Sequence, residues 1–291
     1  MNNLTAIILT KNEQLHIRRC LENISPVCDK VYVVDCYSTD DTVKICRNFA
    51  NVEVVQREWP GNHALQFNWA LDNLEICTEW VIRMDADEYF LDGEAARLLA
   101  LLPALPDGKN ALSLSRARYF MGKRLTYGGT DFLSIVRVFR KGKARSEVRV
   151  MDETIVVTEG ESIETNIKFA DNNLQPLSWW ISKHLDYARK EADMQLHADL
   201  AGQSATSSSL SSSGRNKRKQ KQFYYRLPLF WRAFAYFFYR YILRLGFLDG
   251  KVGFIWHFMH AWWYRSMVDA LLVENNMNCC SYGNGKRRST V

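Results

Sequence analysis

The segment 81-VIRMDADEYF-90 begins as an apolar strand and then sets down Asp85, Asp87 and Glu88. Two carboxylates brought to one place repel unless a cation sits between them. A hard divalent ion with open positions bridges such a pair to phosphate oxygens. Ala86, between the two aspartates, is small enough to leave both side chains free to converge if the chain turns there. A DxD triplet alone arises on many acidic loops, so its meaning depends on what precedes it. Here that is the strand-like 80-WVIRM-84. Arg83 within it reads either as charge balance for the acids or as a surface residue.

The elements before this strand alternate. Strands are predicted over 4-LTAIIL-9, 31-VYVVD-35, 52-VEVV-55 and 80-WVIRM-84, with helical periodicity between them. Ile17, Cys20, Leu21 and Ile24 mark one helix face, Val43, Cys46 and Phe49 a second, and Phe67, Ala70, Leu71 and Leu74 a third. Thr10 with Glu13, and 38-STDD-41, read as helix-capping patterns. Units of this length imply an α/β fold with a mostly parallel sheet flanked by helices. Such sheets bind ligands beyond the carboxyl ends of their strands, which places Thr10, Asp35 and Asp85 along one rim. The chain contains neither GxGxxG nor GxxxxGK[ST], so the usual dinucleotide and Walker phosphate grips are absent.

Past residue 110 the pattern changes. Strands are predicted over 111–120 and 132–139, with a turn at Gly128 and Gly129, and a helix over 178–200. The run 203-QSATSSSLSSSG-214 is low in complexity and continues into the basic 215-RNKRKQKQ-222. Segment 223–272 is dense in Trp, Tyr and Phe, interrupted by Arg226, Arg232, Arg240, Arg244, Asp249 and Lys251. That pattern is too charged for a membrane span. It suits helices lying in a bilayer interface or, as the bland reading, a core or oligomer contact. The polybasic run favours an anionic membrane surface. Without a recognition module, those basic residues do not point to nucleic acid. Net charge is +6 over 291 residues, and 47% of them are apolar, enough for a sizeable core. Seven scattered cysteines form no CxxC pair, which fits a reducing compartment, and no secretory signal is expected at the N-terminus.

The elements 10-TKNE-13, 33-VVDCYSTDDT-42, 59-WPGNHALQFN-68 and 82-IRMDADEYF-90, in this order, resemble the family 2 glycosyltransferases of the GT-A fold. The likeness is to bacterial lipopolysaccharide core and O-antigen β-glucosyltransferases, and 241-YILRLGFLDGKVGFIW-256 resembles their membrane-associated C-terminal segment. The resemblance implies a single Rossmann-like mixed sheet over residues 1–200, with a nucleotide-binding half (1–110) and an acceptor-side half (111–200). A basic linker (201–222) and a membrane-associated helical extension (223–291) would follow. It also implies a UDP-sugar donor, a divalent metal (Mg²⁺ or Mn²⁺) and inversion at the anomeric carbon. The nucleotide pocket would fall on Thr10, Asn12, Glu13, Asp35, Arg57, Gln66 and Asn68. Asp85 would approach ribose or metal, Asp87 would be the direct metal ligand, and His184 would reach the metal or acceptor.

An inverting transfer needs a carboxylate on the face opposite the leaving diphosphate. In 149-RVMDET-154 Asp152 is the first choice and Glu153 its competitor, because consecutive residues of an extended chain face opposite ways. Related enzymes often carry a His-Glu pair here, so Met151-Asp152-Glu153 departs from the pattern. The acceptor implied is a lipid-linked oligosaccharide or lipopolysaccharide core, met at the cytoplasmic face of the bacterial inner membrane. Two other classes stay open. A nucleotidyltransferase normally carries a glycine-rich loop after the first strand, where this chain has 10-TKNEQLH-16. A non-catalytic lipid- or glycan-binding shell would be expected to lose the rim acids.

Overall fold

The computed structural model describes residues 2–131, 133–149, 153–198 and 223–284, with backbone alone at 197–198 and 278–284. Two compact units divide the chain. The first comprises the described residues up to Thr126 and from Thr130 to Gln175. The second comprises Tyr127–Gly129, the chain from Pro176 to 198, and 223–284. The low-complexity run and the basic 215–222 lie outside the described residues, as do Met151 and Asp152.

The first unit is built on β1 (Leu4–Thr10), β2 (Lys30–Asp35), β3 (Val52–Gln56) and β4 (Trp80–Asp85). These four pair in parallel in the order β3-β2-β1-β4. The sheet continues through β5 (Glu88–Phe90), β6 (Lys109–Phe120), β7 (Lys123–Leu125), β8 (Leu133–Arg140) and β11 (Glu161–Asp171). Beyond β4 the order is β8-β6-β11-β5, and β4/β8, β8/β6 and β11/β5 are antiparallel. The sheet is therefore mixed. A small ribbon of β9 (Ala144–Ser146) and β10 (Ile155–Val157) stands apart.

Alternation along the strands explains the layers. Leu4, Ala6 and Ile8 pack with α1 (Ile17–Ile24), α2 (Thr42–Cys46) and α4 (Glu94–Leu101). Ile7, Val34, Val81 and Phe139 pack with Phe67 and Ala70 of α3 (His63–Asn73) on the other face. Each such aliphatic side chain, fully buried, contributes about 1.5–3 kcal/mol. Helix α1 buries the four residues its periodicity marks.

The two capping patterns are used differently from the sequence expectation. Thr10 ends β1 and α1 starts only at Ile17, with no side-chain cap. Before α2, Asp40 rather than Ser38 accepts from the Thr42 N–H, at 3.0 Å. Both sequence patterns lie at strand ends, where the same short polar side chains hold loops.

The second unit contains α5 (Leu177–Ala198), α6 (Trp231–Phe238), α7 (Gly250–His257) and α8 (Tyr264–Asn284). A π-helical segment, Tyr239–Leu243, extends α6, and another, Phe258–Trp263, joins α7 to α8. Helix α5 packs on α8 through Ala188, Ala192, Tyr264, Val268 and Leu272. The interrupting charges do not all face outward as an interfacial helix would have them. Arg232 is buried against Asp269 at 2.5 Å, Arg240 Nε donates to the Gly128 carbonyl at 2.7 Å, and Asp249 accepts the Tyr127 N–H. The aromatics supply the surface instead: Trp231, Phe234, Phe238, Phe247 and Phe254 are exposed, together with Leu243. Among the described residues no helix is long and apolar enough to cross a membrane.

Candidate active site

The parallel strands end in register, so Gln56, Asp35 and Thr10 are neighbours across the sheet, with Asp85 beside Leu9. Asp35 is fully buried. Its Oδ1 accepts from the Thr10 hydroxyl at 2.9 Å and the Ser38 hydroxyl at 2.5 Å. Its Oδ2 accepts from the Ser38 N–H at 2.8 Å and the Gln56 amide at 3.3 Å. A carboxylate has about four acceptor positions, and the chain fills all of them. Asp35 therefore ties the ends of β1 and β3 to the loop after β2.

Two loops clasp above it. Lys11 Nζ donates to the carbonyls of Cys36 and Tyr37, both at 2.7 Å. Asn12 donates its N–H to Ser38 Oγ and accepts the Thr39 N–H on its side chain, both at 2.8 Å. The Glu13 N–H donates to Thr42 Oγ1 at 2.7 Å. Asn12 and Tyr37 both take left-handed backbone conformations, and the Tyr37 ring is exposed at the rim. Beside them Arg57 stacks over Trp69 at 4.7 Å and donates to Gln66 Oε1 at 3.0 Å. Gln66 in turn donates to Cys36 Sγ. Asn68 faces elsewhere: its amide exchanges two hydrogen bonds with the Ser146 main chain, at 2.8 and 2.9 Å.

At the tip of β4 the chain turns at Ala86 and at once becomes β5, whose Glu88 lies opposite Asp171 of β11. Arg137 donates to Asp85 Oδ2 at 3.1 Å and contacts the buried Glu88 carboxylate, which also accepts the Asp85 N–H at 2.9 Å. Arg83 is buried and pairs with Asp85 at 3.8 Å, which makes it charge balance rather than a surface residue. Burial pushes the Asp85 carboxyl upward, but Arg137 and Arg83 outweigh it and hold it well below the usual carboxylate range. With 43% of its side chain open, pairing decides the outcome. Asp87 goes the other way. Burial, then Asp171 and Asp85, push it up to about 6, against a hydrogen bond from Asn173. Burial likewise raises Glu88, with Arg137 opposing. Across β6 and β11, Arg116 and Arg118 converge on one oxygen of Asp171, at 3.5 and 3.2 Å.

Such crowding of acids is relieved by a cation, and the all-oxygen donor set suits a hard one. Asp85 and Asp87 fit that role, though among the described residues no three His, Cys, Asp or Glu side chains form a ready cage. Glu153 accepts the N–H groups of His63 and Ala64 at the start of α3, near Arg83 and Asp85, and burial raises its carboxyl. Asp152 lies outside the described residues. His184 is a residue of the second unit: it stacks on Trp180 with ring centroids 3.5 Å apart, and its Nδ1 lies 2.9 Å from the Trp180 carbonyl.

Lys11, Gln56 and Arg137 were not singled out by sequence reasoning, and Ser38 was read only as part of a helix-capping pattern. One signal existed for Arg137: an arginine inside the apolar strand run 132-FLSIVRVF-139 has to be paired if it faces the sheet interior.

A parallel β3-β2-β1-β4 core extended by antiparallel strands, with acids at the tip of β4, defines a GT-A fold. The profile described as "Glycosyl transferase family 2" matches residues 5–159, and the chain belongs to this family. It is 28% identical over 162 residues to the lipopolysaccharide core biosynthesis glycosyltransferase LpsC of Rhizobium meliloti, covering 54% of this chain and 58% of that protein. It is 36% identical over 89 residues to an uncharacterized glycosyltransferase of Rickettsia felis, 30% of each chain. The chain thus spans little more than half the length of one of these relatives and less than a third of the other. Among solved structures, the mannosyltransferase PcManGT of Pyrobaculum calidifontis, in complex with GDP-Man and Mn²⁺, superposes with a TM-score of 0.52 at 16% identity. The match covers 93% of this chain and 87% of that one. At that identity the likeness concerns the fold.

Proposed function

We propose that this chain is an inverting glycosyltransferase that moves a hexose from a UDP-sugar to a lipid-linked glycan, of the lipopolysaccharide core or O-antigen kind. The observation that carries the reading is the pair Asp85 and Asp87 at the tip of β4, beside the clasped Thr10–Asp35 pocket, in a family 2 chain. Uridine would lie over the loops at Asn12 and Tyr37, with Arg57 and Gln66 toward the diphosphate. Asp35 would act by shaping that pocket, since its acceptor positions are filled from within. Asp87, with Asp85, would hold Mg²⁺ or Mn²⁺, and when bound such an ion neutralises charge on the leaving diphosphate.

The acceptor hydroxyl attacks the anomeric carbon from the face opposite the diphosphate. Its proton passes to a carboxylate, the new C–O bond forms, and the electrons of the breaking bond leave on UDP. Glu153 serves as that base in our reading. It stands near Asp85, and a carboxyl raised by burial is better matched to proton transfer near neutrality.

The exposed aromatic face of the second unit supports a peripheral seat on an anionic membrane, at the cytoplasmic face. Large contiguous apolar exposure is unusual on a free surface. The unit buries Arg232 and Arg240 while Trp231, Phe234, Phe238, Phe247 and Phe254 are exposed, an arrangement that water alone does not favour. The relative LpsC, by its name a lipopolysaccharide core enzyme, agrees with such an acceptor. The test is a panel of UDP-sugars with membrane extract and Mn²⁺. Transfer with release of UDP supports the proposal, release of pyrophosphate would make the chain a nucleotidyltransferase, and no turnover with any donor would favour a binding shell.

A further inference from the structure

The metal acid Asp87 is not held by its own strand alone. Asn173, just past the end of β11, donates from Nδ2 to Asp87 Oδ2 at 3.0 Å. The amide cannot be flipped at no cost, because Asn173 Oδ1 accepts the Gln175 N–H at 2.9 Å. Its donor end is thereby aimed at the carboxylate. Next to it the Leu174 N–H donates to His16 Nε2 at 2.9 Å, while His16 Nδ1 lies 2.6 Å from the Glu13 carboxylate. Since Nε2 accepts, the proton sits on Nδ1 and points at Glu13. His16 is fully buried and immediately precedes α1. One turn on, Arg19 donates to the Asn172 carbonyl at 2.6 Å and to the Asp87 carbonyl at 3.3 Å, and the Asn172 N–H donates to that same Asp87 carbonyl at 3.1 Å.

We infer that His16 and Asn173 are positioning residues that fix the Asp87 carboxylate for its cation and couple it to the Glu13 loop of the nucleotide pocket. This rests on the proposed metal role of Asp87. The chain of contacts runs Glu13, His16, Leu174, Asn173, Asp87, from the loop after β1 to the tip of β4. Asp87 stands among Asp85, Asp171 and Glu13, all of which disfavour its ionised form. The amide of Asn173 favours that form and selects one orientation of it. Without His16 the 172–174 segment loses the contact that places Asn173. Neither residue touches sugar or diphosphate in this role.

The test measures Mn²⁺ affinity by electron paramagnetic resonance on the full-length protein with saturating UDP, alongside hydrogen exchange at the Leu174 amide without metal. Asn173→Ala and His16→Leu are expected to weaken Mn²⁺ binding about tenfold, the scale of one charge-assisted hydrogen bond. His16→Leu should also speed exchange at Leu174. His16→Gln, whose side-chain carbonyl replaces Nε2 as acceptor, should restore both within about twofold of the wild type on the same scale. Unchanged Mn²⁺ affinity in Asn173→Ala overturns the inference, provided Asp87→Ala loses the metal. Affinity unchanged in Asp87→Ala instead overturns the metal role itself. Should His16→Leu fail to fold, Asn173→Ala and His16→Gln decide between them.

Discussion

Arg137 Nη2 stands 3.1 Å from Asp85 Oδ2, and the same guanidinium meets the buried Glu88 carboxylate. One buried cation thus holds the acid that starts the DxD turn and the acid that starts the next strand. Removing one member of a buried ion pair leaves the other uncompensated, at about 3–5 kcal/mol. Arg137→Met should lower unfolding free energy by that order in a denaturant titration. A loss below about 1 kcal/mol, the worth of a surface pair, would show that the network is solvated in solution.

Asp87 offers the contrast. It is a half-buried acid, and its carboxyl is held up to about 6 by burial and by the neighbouring Asp171 and Asp85. Asp87→Ala should abolish transfer while leaving the melting temperature equal to or above that of the wild type. Turnover near the wild-type value at saturating Mn²⁺ would remove Asp87 from the metal site.

The base can be assigned by a pair of variants. Glu153→Gln should lower kcat at least about 100-fold with UDP binding nearly unchanged, as removal of a general base does. Asp152→Asn should have the smaller effect. The reverse ranking moves the role to Asp152, the residue that sequence order favours.

Much of this was legible in the chain. The β1–β4 strands, the α1 face and the rim position of Thr10, Asp35 and Asp85 follow from periodicity and from where apolar runs stop. What periodicity could not show is which partner a polar side chain meets. Thr10 and Ser38 carry the residue types of helix caps, yet both donate to Asp35, a contact that depends on the β1/β2 register. Asn68 matches a motif of the family, but its amide closes on Ser146, 78 positions along the chain. Arg232 and Arg240 of the aromatic segment look interfacial until Asp269 and the Gly128 carbonyl are found to meet them.

The aromatic face has its own test. Trp231, Phe234 and Phe238 are exposed and recur at helical spacing on α6. Changing all three to Ser removes apolar surface worth about 1.5–3 kcal/mol for each side chain that becomes buried. Co-sedimentation with anionic vesicles should fall at least tenfold on that ~1.5 kcal/mol scale, with soluble UDP binding retained. Equal vesicle binding would assign the face to a protein contact.

Acid should unsettle the second unit through His257. This ring is fully buried, and among the described residues neither nitrogen has a hydrogen-bond partner. A Cβ at Gly128, whose φ is +71°, would lie 2.1 Å from its Cε1, and one at Gly246 would lie 2.5 Å from its Nε2. Arg240 and the Tyr241 ring are its charged and titratable neighbours. Burial, then the Arg240 charge, lower its pKa to about 3. Between that value and the ordinary ~6.5, the unfolded chain binds a proton that the folded one refuses. Stability is therefore full above about 6.5 and declines as pH falls toward about 3, by at most about 1.4 kcal/mol per pH unit from this group. Thermal melts from pH 8 to 4 should show that slope, and His257→Gln, which does not titrate, should flatten it by about one proton. The same slope in both proteins would place the acid sensitivity elsewhere.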